Sequence, residues 1–330
     1  MLLSIAAVSL LCPESAMAWG SEGHQKVGAI ADRMLTDKAR SEVSAILGIS
    51  LETASVWADC AKGVSVKNGV AVYNDNPIYT ECDALDASDS EFLAAMKNYV
   101  LNNWANCDQS QNNEACHKQH HYADISIHRS RYDASYVGAS DQDIVTTINA
   151  ALAVLTDRPQ QTSIIISSKR EALLLLAHLI GDLHQPLHIG SVYLDNKGRE
   201  VDPDNNPTFL HDYDVRGGND LKSDVQNLHS MWDSLSPIGD LDSLVKLAVK
   251  THRTDAQLTE LAASWASLTL PLSKRAYGGL KFKPLDSQAK QYEIKFANKK
   301  NYLKSKTDTQ RTQIVLAGAH LAEFLNRVWE

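Results

Sequence analysis

The sequence predicts an all-α protein of one domain, interrupted by a polar excursion with a short hairpin. Three observations carry this reading. Apolar residues recur at three- and four-residue intervals through most of the chain. Residues 191–218 break that rhythm with a run rich in Asp, Asn, Gly and Pro. No Pro-rich or Gly/Ser-rich linker and no repeat divides the 330 residues, of which 44% are hydrophobic, enough for a substantial core.

The first 18 residues, MLLSIAAVSLLCPESAMA, stand apart. An apolar run followed by Ala16-Met17-Ala18 reads as a signal peptide cleaved before Trp19, although no basic residue opens it. The expected domain is therefore 19–330, in a secreted or periplasmic protein. No later run is long enough to span a membrane. Residues 21–47 read as one helix, with Val27, Ile30, Ala31, Met34 and Leu35 on one face. Helices are expected at 91–104 and at 141–155, the latter capped by Ser140 with Asp143 three residues on. A long apolar helix over 168–184 should end or kink at Pro186. Further helices fit 219–235, 240–252, 256–268, 287–303 and 309–329.

Removal of the leader takes away Cys12 and leaves Cys60, Cys82, Cys107 and Cys116. An even number in an exported chain suggests two disulfides. Cys107 and Cys116 flank a polar loop and are paired, leaving Cys60 with Cys82. No CxxC spacing occurs, which argues against a zinc site built from these four. The net charge of −8 becomes −7 once Glu14 leaves with the leader, so the chain as a whole is not a basic nucleic-acid trap.

The stretch His178–His188, HLIGDLHQPLH, places three histidines and an aspartate at the end of an apolar helix. His178 and Asp182 lie four apart and share a helix face. His229 and Asp233 in NLHSMWD repeat that spacing. WAD at Asp59, HHYAD at His121 and Asp124, and WGSEGH at Trp19 and His24 add more donors. Imidazole and carboxylate suit zinc, and two metals together can activate a nucleophile and clamp a leaving oxygen. Each piece alone is more often a surface pair or a helix cap; their number is the signal. His117, His120, His128, His211, His252 and His320 are left as structural or solvent-exposed, and His184 as a supporting or surface residue.

In this order and spacing the motifs WGSEGH, WAD, HYAD, HLIGDLHQPLH, GGND and NLHSMWD resemble the zinc-dependent secreted nucleases of the mung bean, S-one/P-one type. The resemblance runs from Trp19 to the C-terminal helix. It implies a phospholipase C/nuclease-like multi-helix fold and three Zn2+ ions per chain. By that carry-over Trp19, through its free amine and carbonyl, His24 and Asp182 hold one ion. Asp59, His121, His178 and a bridging Asp182 hold the second, and His188, His229 and Asp233 the third. The implied activity is endonucleolytic hydrolysis of single-stranded DNA and RNA to 5′-phosphates, with 3′-nucleotidase action. Asp124 matches a carboxylate that hydrogen-bonds the attacking water; the other reading is a support for a ligating histidine. Tyr122 matches a base-stacking aromatic, unless it is core. Asn219 matches a base-edge reader, unless it caps a helix. Fungal relatives carry arginine where this chain has Lys62, which keeps the charge but loses bidentate phosphate contact.

A zinc-dependent phospholipase C shares the implied fold and ligands and is the alternative; a zinc-scavenging protein is a third reading. HYAD, GGND and NLHSMWD favour the nuclease. A monomer with no stable protein partner and no membrane association is expected.

Overall fold

The computed structural model describes residues 19–74, 80–87, 90–107, 114–206 and 213–330; the leader with Cys12, and His211, lie outside the described residues. The helices are α1 (Gly20–Met34), α2 (Asp37–Leu47), α3 (Leu51–Ala54), α4 (Trp57–Ala61), α5 (Glu91–Asn102), α6 (Ile144–Leu155), α7 (Lys169–Asp182), α8 (Leu228–Asp233), α9 (Leu241–Ala248), α10 (Leu261–Tyr277) and α11 (Lys299–Val328). The strands are β1 (Val64–Lys67), β2 (Val70–Tyr73), β3 (Ile125–Ser126), β4 (Gly190–Ser191), β5 (Leu221–Lys222), β6 (Leu280–Asp286) and β7 (Gln291–Phe296). They make an antiparallel β1–β2 hairpin, a short parallel β3–β4 pair and a β5–β7–β6 sheet.

Helix α7 is the axle. Ser168 caps it by accepting from the Glu171 amide, and every residue from Glu171 to Asp182 is buried. The run Leu173–Leu176 leaves no polar face, so neighbours must surround it. Helices α1, α2, α4, α6 and α11 pack on it. Each buried leucine contributes about 1.5–3 kcal/mol. A second apolar cluster, including Leu194, Val215, Leu221, Leu228, Tyr292 and Ile294, lies beneath the small sheet.

The helical class stands, with several boundaries corrected. The single helix expected over 21–47 is two: Leu35 turns extended, and the Thr36 side chain accepts from Ala39 to start α2. Asp143, not Ser140, caps α6. Asp182 ends α7 four residues before Pro186, which instead opens the turn Pro186–His188. Only Leu228–Asp233 of the helix expected over 219–235 forms, because Leu221–Lys222 pair with β7 as strand β5 and the Asn227 side chain caps a helix that starts only at Leu228. The helix expected over 287–303 is replaced by the β6–β7 hairpin and the start of α11. There Tyr292 and Ile294 alternate with Glu293 and Lys295, a period of two that overrides the helical reading.

Both expected disulfides are present, Cys60–Cys82 and Cys107–Cys116. The first ties α4, which carries Asp59, to the turn Thr80–Ala84. The second brackets the approach to the turn Cys116–His121. His184 is not a surface residue. It is buried, with Nδ1 against the Ile180 carbonyl and Nε2 against His320, which stacks on Trp265.

Candidate metal centre

Four elements bring five donors together beside the end of α7. His178 and Asp182 project from one face of that helix, and Nε2 of His178 lies 3.1 Å from Oδ2 of Asp182. His121, last residue of its turn, places Nδ1 2.9 Å from the same oxygen. His24 on α1 approaches the other carboxylate oxygen at 3.2 Å. Asp59 on α4 sits 3.6 Å from His178. Asp182 is thus flanked by histidines on both oxygens, as a bridging carboxylate requires. Gly181 permits this approach, since a Cβ there would stand 2.9 Å from Nδ1 of His24. Trp19 is fully buried at the same place, its indole donating to the Gly181 carbonyl at 2.7 Å.

A second group forms on shorter elements. His229 Nε2 lies 3.1 Å from His188 Nε2 and 3.5 Å from Asp233. His188 hangs from the turn after Pro186, and its Nδ1 donates to the His121 carbonyl at 2.7 Å. His229 Nδ1 faces the Gly217 carbonyl at 2.8 Å, and Gln185 donates to Asp233 at 2.8 Å. Gly217 has φ of 58° and sits against the Leu187 carbonyl, so it cannot carry a side chain without moving the support of His229.

Among the described residues, three sets of donor atoms lie within 4.8 Å of one another: His24, His178 and Asp182; Asp59, His121 and His178; His188, His229 and Asp233. Several of these atoms are buried with no hydrogen bond: both ring nitrogens of His24, Oδ1 of Asp182 and Oδ2 of Asp233. The 3.2 Å approach of His24 to Asp182 is close, but its geometry is not that of a hydrogen bond. Orphaned polar atoms are costly in a protein interior, and a cation between them would satisfy them. Burial pushes His121 and His229 down to about 3, and also lowers His24 and His188. Burial acts the same way on His178, but Asp182 and Asp59 override it and raise that group. Burial opposes the charge on Asp182, yet His178 and His188 hold it well below the usual carboxylate range. Lowered imidazoles and an ionised Asp182 suit a divalent metal, and zinc fits this nitrogen and oxygen set; burial pushes Asp233 well above the carboxylate range, so a metal there would displace its proton.

Beside the donors lies a cavity of about 810 Å³. It is lined by Tyr122, Asp124, Asp214 and Arg216, but by none of the candidate ligands. The backbone after His121 is extended, so side chains alternate: Tyr122 and Asp124 face the cavity while His121 turns to the donors. The Tyr122 hydroxyl donates to Glu114 at 2.9 Å, and its ring lines the cavity wall rather than the core. Asp124 keeps Oδ1 buried and unpartnered. Burial and the adjoining Asp214 carboxyl hold Asp124 well above the carboxylate range, and burial lifts Asp214 to about 6. Lys62 pairs with Asp59 at 2.6 Å. Asn219 does not cap a helix start; its amide donates to the Arg216 carbonyl behind a short turn.

Sequence reasoning missed the supports. Asp214 accepts from Ser191 at 2.6 Å and from the Arg216 amide at 2.8 Å. The Ser55 carbonyl faces His178 Nδ1 at 2.7 Å. Two of these contacts run through backbone atoms, which no residue type announces. Asp214 lies inside the polar excursion, where its neighbours are also acidic and nothing singled it out.

Comparison with known proteins agrees with this geometry. Endonuclease 4 of Arabidopsis thaliana is 26% identical over 159 residues, which cover 45% of this chain and 44% of that protein. Endonuclease 3 of the same plant is 27% identical over 137 residues, covering 40% and 37%. These matches span less than half the length of either relative. The S1/P1 Nuclease family matches residues 93–330, a span that holds His121, His178, Asp182, His188, His229 and Asp233, while Trp19, His24 and Asp59 precede it. A helical phospholipase C/nuclease-like fold is that of this family. With most of its length inside that match, the chain belongs to the S1/P1 nuclease family.

Proposed function

We propose that the chain is an exported zinc phosphodiesterase. Residues 19–330 form its single domain, cutting single-stranded DNA and RNA to 5′-phosphates and acting on 3′-nucleotides. The observation that carries this is the convergence of three buried His/Asp groups with unsatisfied atoms beside a cavity that Tyr122 and Asp124 line. Trp19 with His24 and Asp182 would hold one zinc, Asp59, His121, His178 and Asp182 a second, and His188, His229 and Asp233 a third. Zinc supplies an acidified water and charge stabilisation for the leaving oxygen.

The remaining roles belong to the chain. Asp124 accepts a hydrogen bond from the attacking water through its unpartnered oxygen, while a proton shared with Asp214 fixes the other side of the carboxyl. Tyr122 stacks a base without regard to sequence, worth about 1–3 kcal/mol. Lys62 moves toward the scissile phosphate as a point charge. Asn219 contacts a base edge. Cleavage before Trp19 frees the amine that serves as a ligand.

The test uses zinc-loaded protein beginning at Trp19, assayed on single-stranded DNA, a 3′-nucleotide and phosphatidylcholine, with a chelator control. Chelator-sensitive turnover of the first two, and not of lipid, is expected. Lipid turnover alone would assign a phospholipase instead. Tyr122→Ala should cut kcat/KM on the 3′-nucleotide by about 10–100-fold, while cleavage of an abasic oligonucleotide, which offers no ring to stack, changes little. Equal losses would remove the stacking role.

A further inference from the structure

The β5–β7–β6 sheet carries a charge that the overall composition hides. Residues 274–306 hold ten basic and two acidic residues in a chain of net charge −8. Tyr292 and Ile294 of β7 point into the protein, where the Tyr292 hydroxyl donates to the Leu194 carbonyl at 3.0 Å. The other face is solvent. Lys222 pairs with Glu293 in the strand register, and Lys281 pairs with Lys295. Lys283 reaches Glu293 at 2.7 Å, and Lys295 approaches the same residue at 3.9 Å. The exposed face therefore presents Lys222, Lys281, Lys283 and Lys295 against Glu293 and, at its cavity end, Asp286.

Directly opposed like charges destabilise a strand pair, and Lys281 faces Lys295 across the ladder. A local rule broken at the surface points to function. The hairpin also reaches the site: Leu285, Ser287 and Lys290, at its turn, line the same cavity as Tyr122 and Asp124. From Lys290 to Lys295 the strand covers roughly 17 Å of surface leading away from that cavity. Among the described residues, no exposed large hydrophobic side chain lies on these strands, so the face lacks the apolar anchors of a membrane-binding surface.

We propose that this sheet face is a track for the phosphate backbone of a polynucleotide whose reacting end occupies the cavity. The proposal rests on the nuclease reading and adds to it the surface that distinguishes a polymer from a mononucleotide. Lysines suit this task because they act as point charges that need no fixed geometry. Lys290 at the turn takes the phosphates nearest the cavity; Lys281, Lys283 and Lys295 take those beyond.

The test compares zinc-loaded wild type, K281Q/K283Q/K295Q and E293Q. Binding of a fluorescein-labelled, phosphorothioate-linked dT20 is read by anisotropy across a salt series, and turnover of a 3′-nucleotide is read beside it. The triple variant should raise Kd at least about tenfold and flatten the log–log salt slope by about 2, from three lost contacts to single-stranded nucleic acid. E293Q should bind more tightly than wild type, a gain that misfolding cannot produce. Turnover of the 3′-nucleotide should stay unchanged in both. Wild-type Kd and slope in both variants would overturn the track, as would a parallel loss on the 3′-nucleotide. Loss of binding to phosphatidylserine vesicles with dT20 binding intact would also overturn it. Should wild type fail to turn over the 3′-nucleotide, the nuclease reading fails, and the Kd series still decides the track.

Discussion

The donors around Asp182 and those around His229 offer the same kinds of atoms on different foundations. His178 and Asp182 stand on a helix buried from Glu171 onward, and His24 and Asp59 come from helices packed on it. His188 and His229 stand on a three-residue turn and a six-residue helix, steadied by the His121 and Gly217 carbonyls respectively. A long buried helix fixes side-chain direction by packing on all sides, whereas a short element relies on a few hydrogen bonds. The first group should therefore be rigid and hard to empty of metal, and the second adjustable and easier to empty.

The largest effect should come from Asp182, which is shared within the first group. Asp182→Asn should lower kcat more than about 100-fold and release two of the three proposed zinc ions, since losing a ligand exceeds the 10–100-fold cost of losing a support. Zinc content by mass spectrometry and turnover of single-stranded DNA check this; release of one ion only would show that Asp182 does not bridge. Gly217→Ala breaks the other side of the comparison. Its Cβ would stand 2.4 Å from the Leu187 carbonyl, displacing the acceptor of His229. Activity should fall about 10–100-fold with loss of one zinc and a small change in Tm. An unchanged zinc count would show that the short elements are as rigid as the helix.

The smallest effect concerns the core behind α7. Burial holds His184 down at about 4, and burial with the neighbouring His184 ring depresses His320 well below its ordinary range. The unfolded chain takes protons near 6.5 that the folded chain refuses, so this contribution is full above pH 6.5 and fades as pH falls toward 4. The Tm should drop over that window, and His320→Gln should flatten the drop. A slope unchanged by the substitution would place the acid sensitivity at the metal donors instead.

The parts of this site that sequence made legible are those written in residue types at helical spacing. His178 with Asp182, and His229 with Asp233, announce themselves by chemistry and period. The disulfide partners followed from an even cysteine count and a polar loop. What escaped was written in backbone. The Ser55 and Gly217 carbonyls orient histidines that the sequence names, but any residue could supply those oxygens. The β6–β7 hairpin escaped for another reason. Residues 287–303 read as a helix, although Tyr292 and Ile294 alternate with charge. Periodicity outranked composition there, and the sheet it builds carries the basic face.

The most direct measurement is the zinc content of the protein beginning at Trp19, equilibrated with zinc, dialysed, and read by mass spectrometry beside turnover of single-stranded DNA. Three ions per chain are expected, with one lost first to a weak chelator and two retained until stronger chelation abolishes cleavage. A chain that binds no zinc, or that cleaves at full rate once stripped, would contradict a metal centre at these residues.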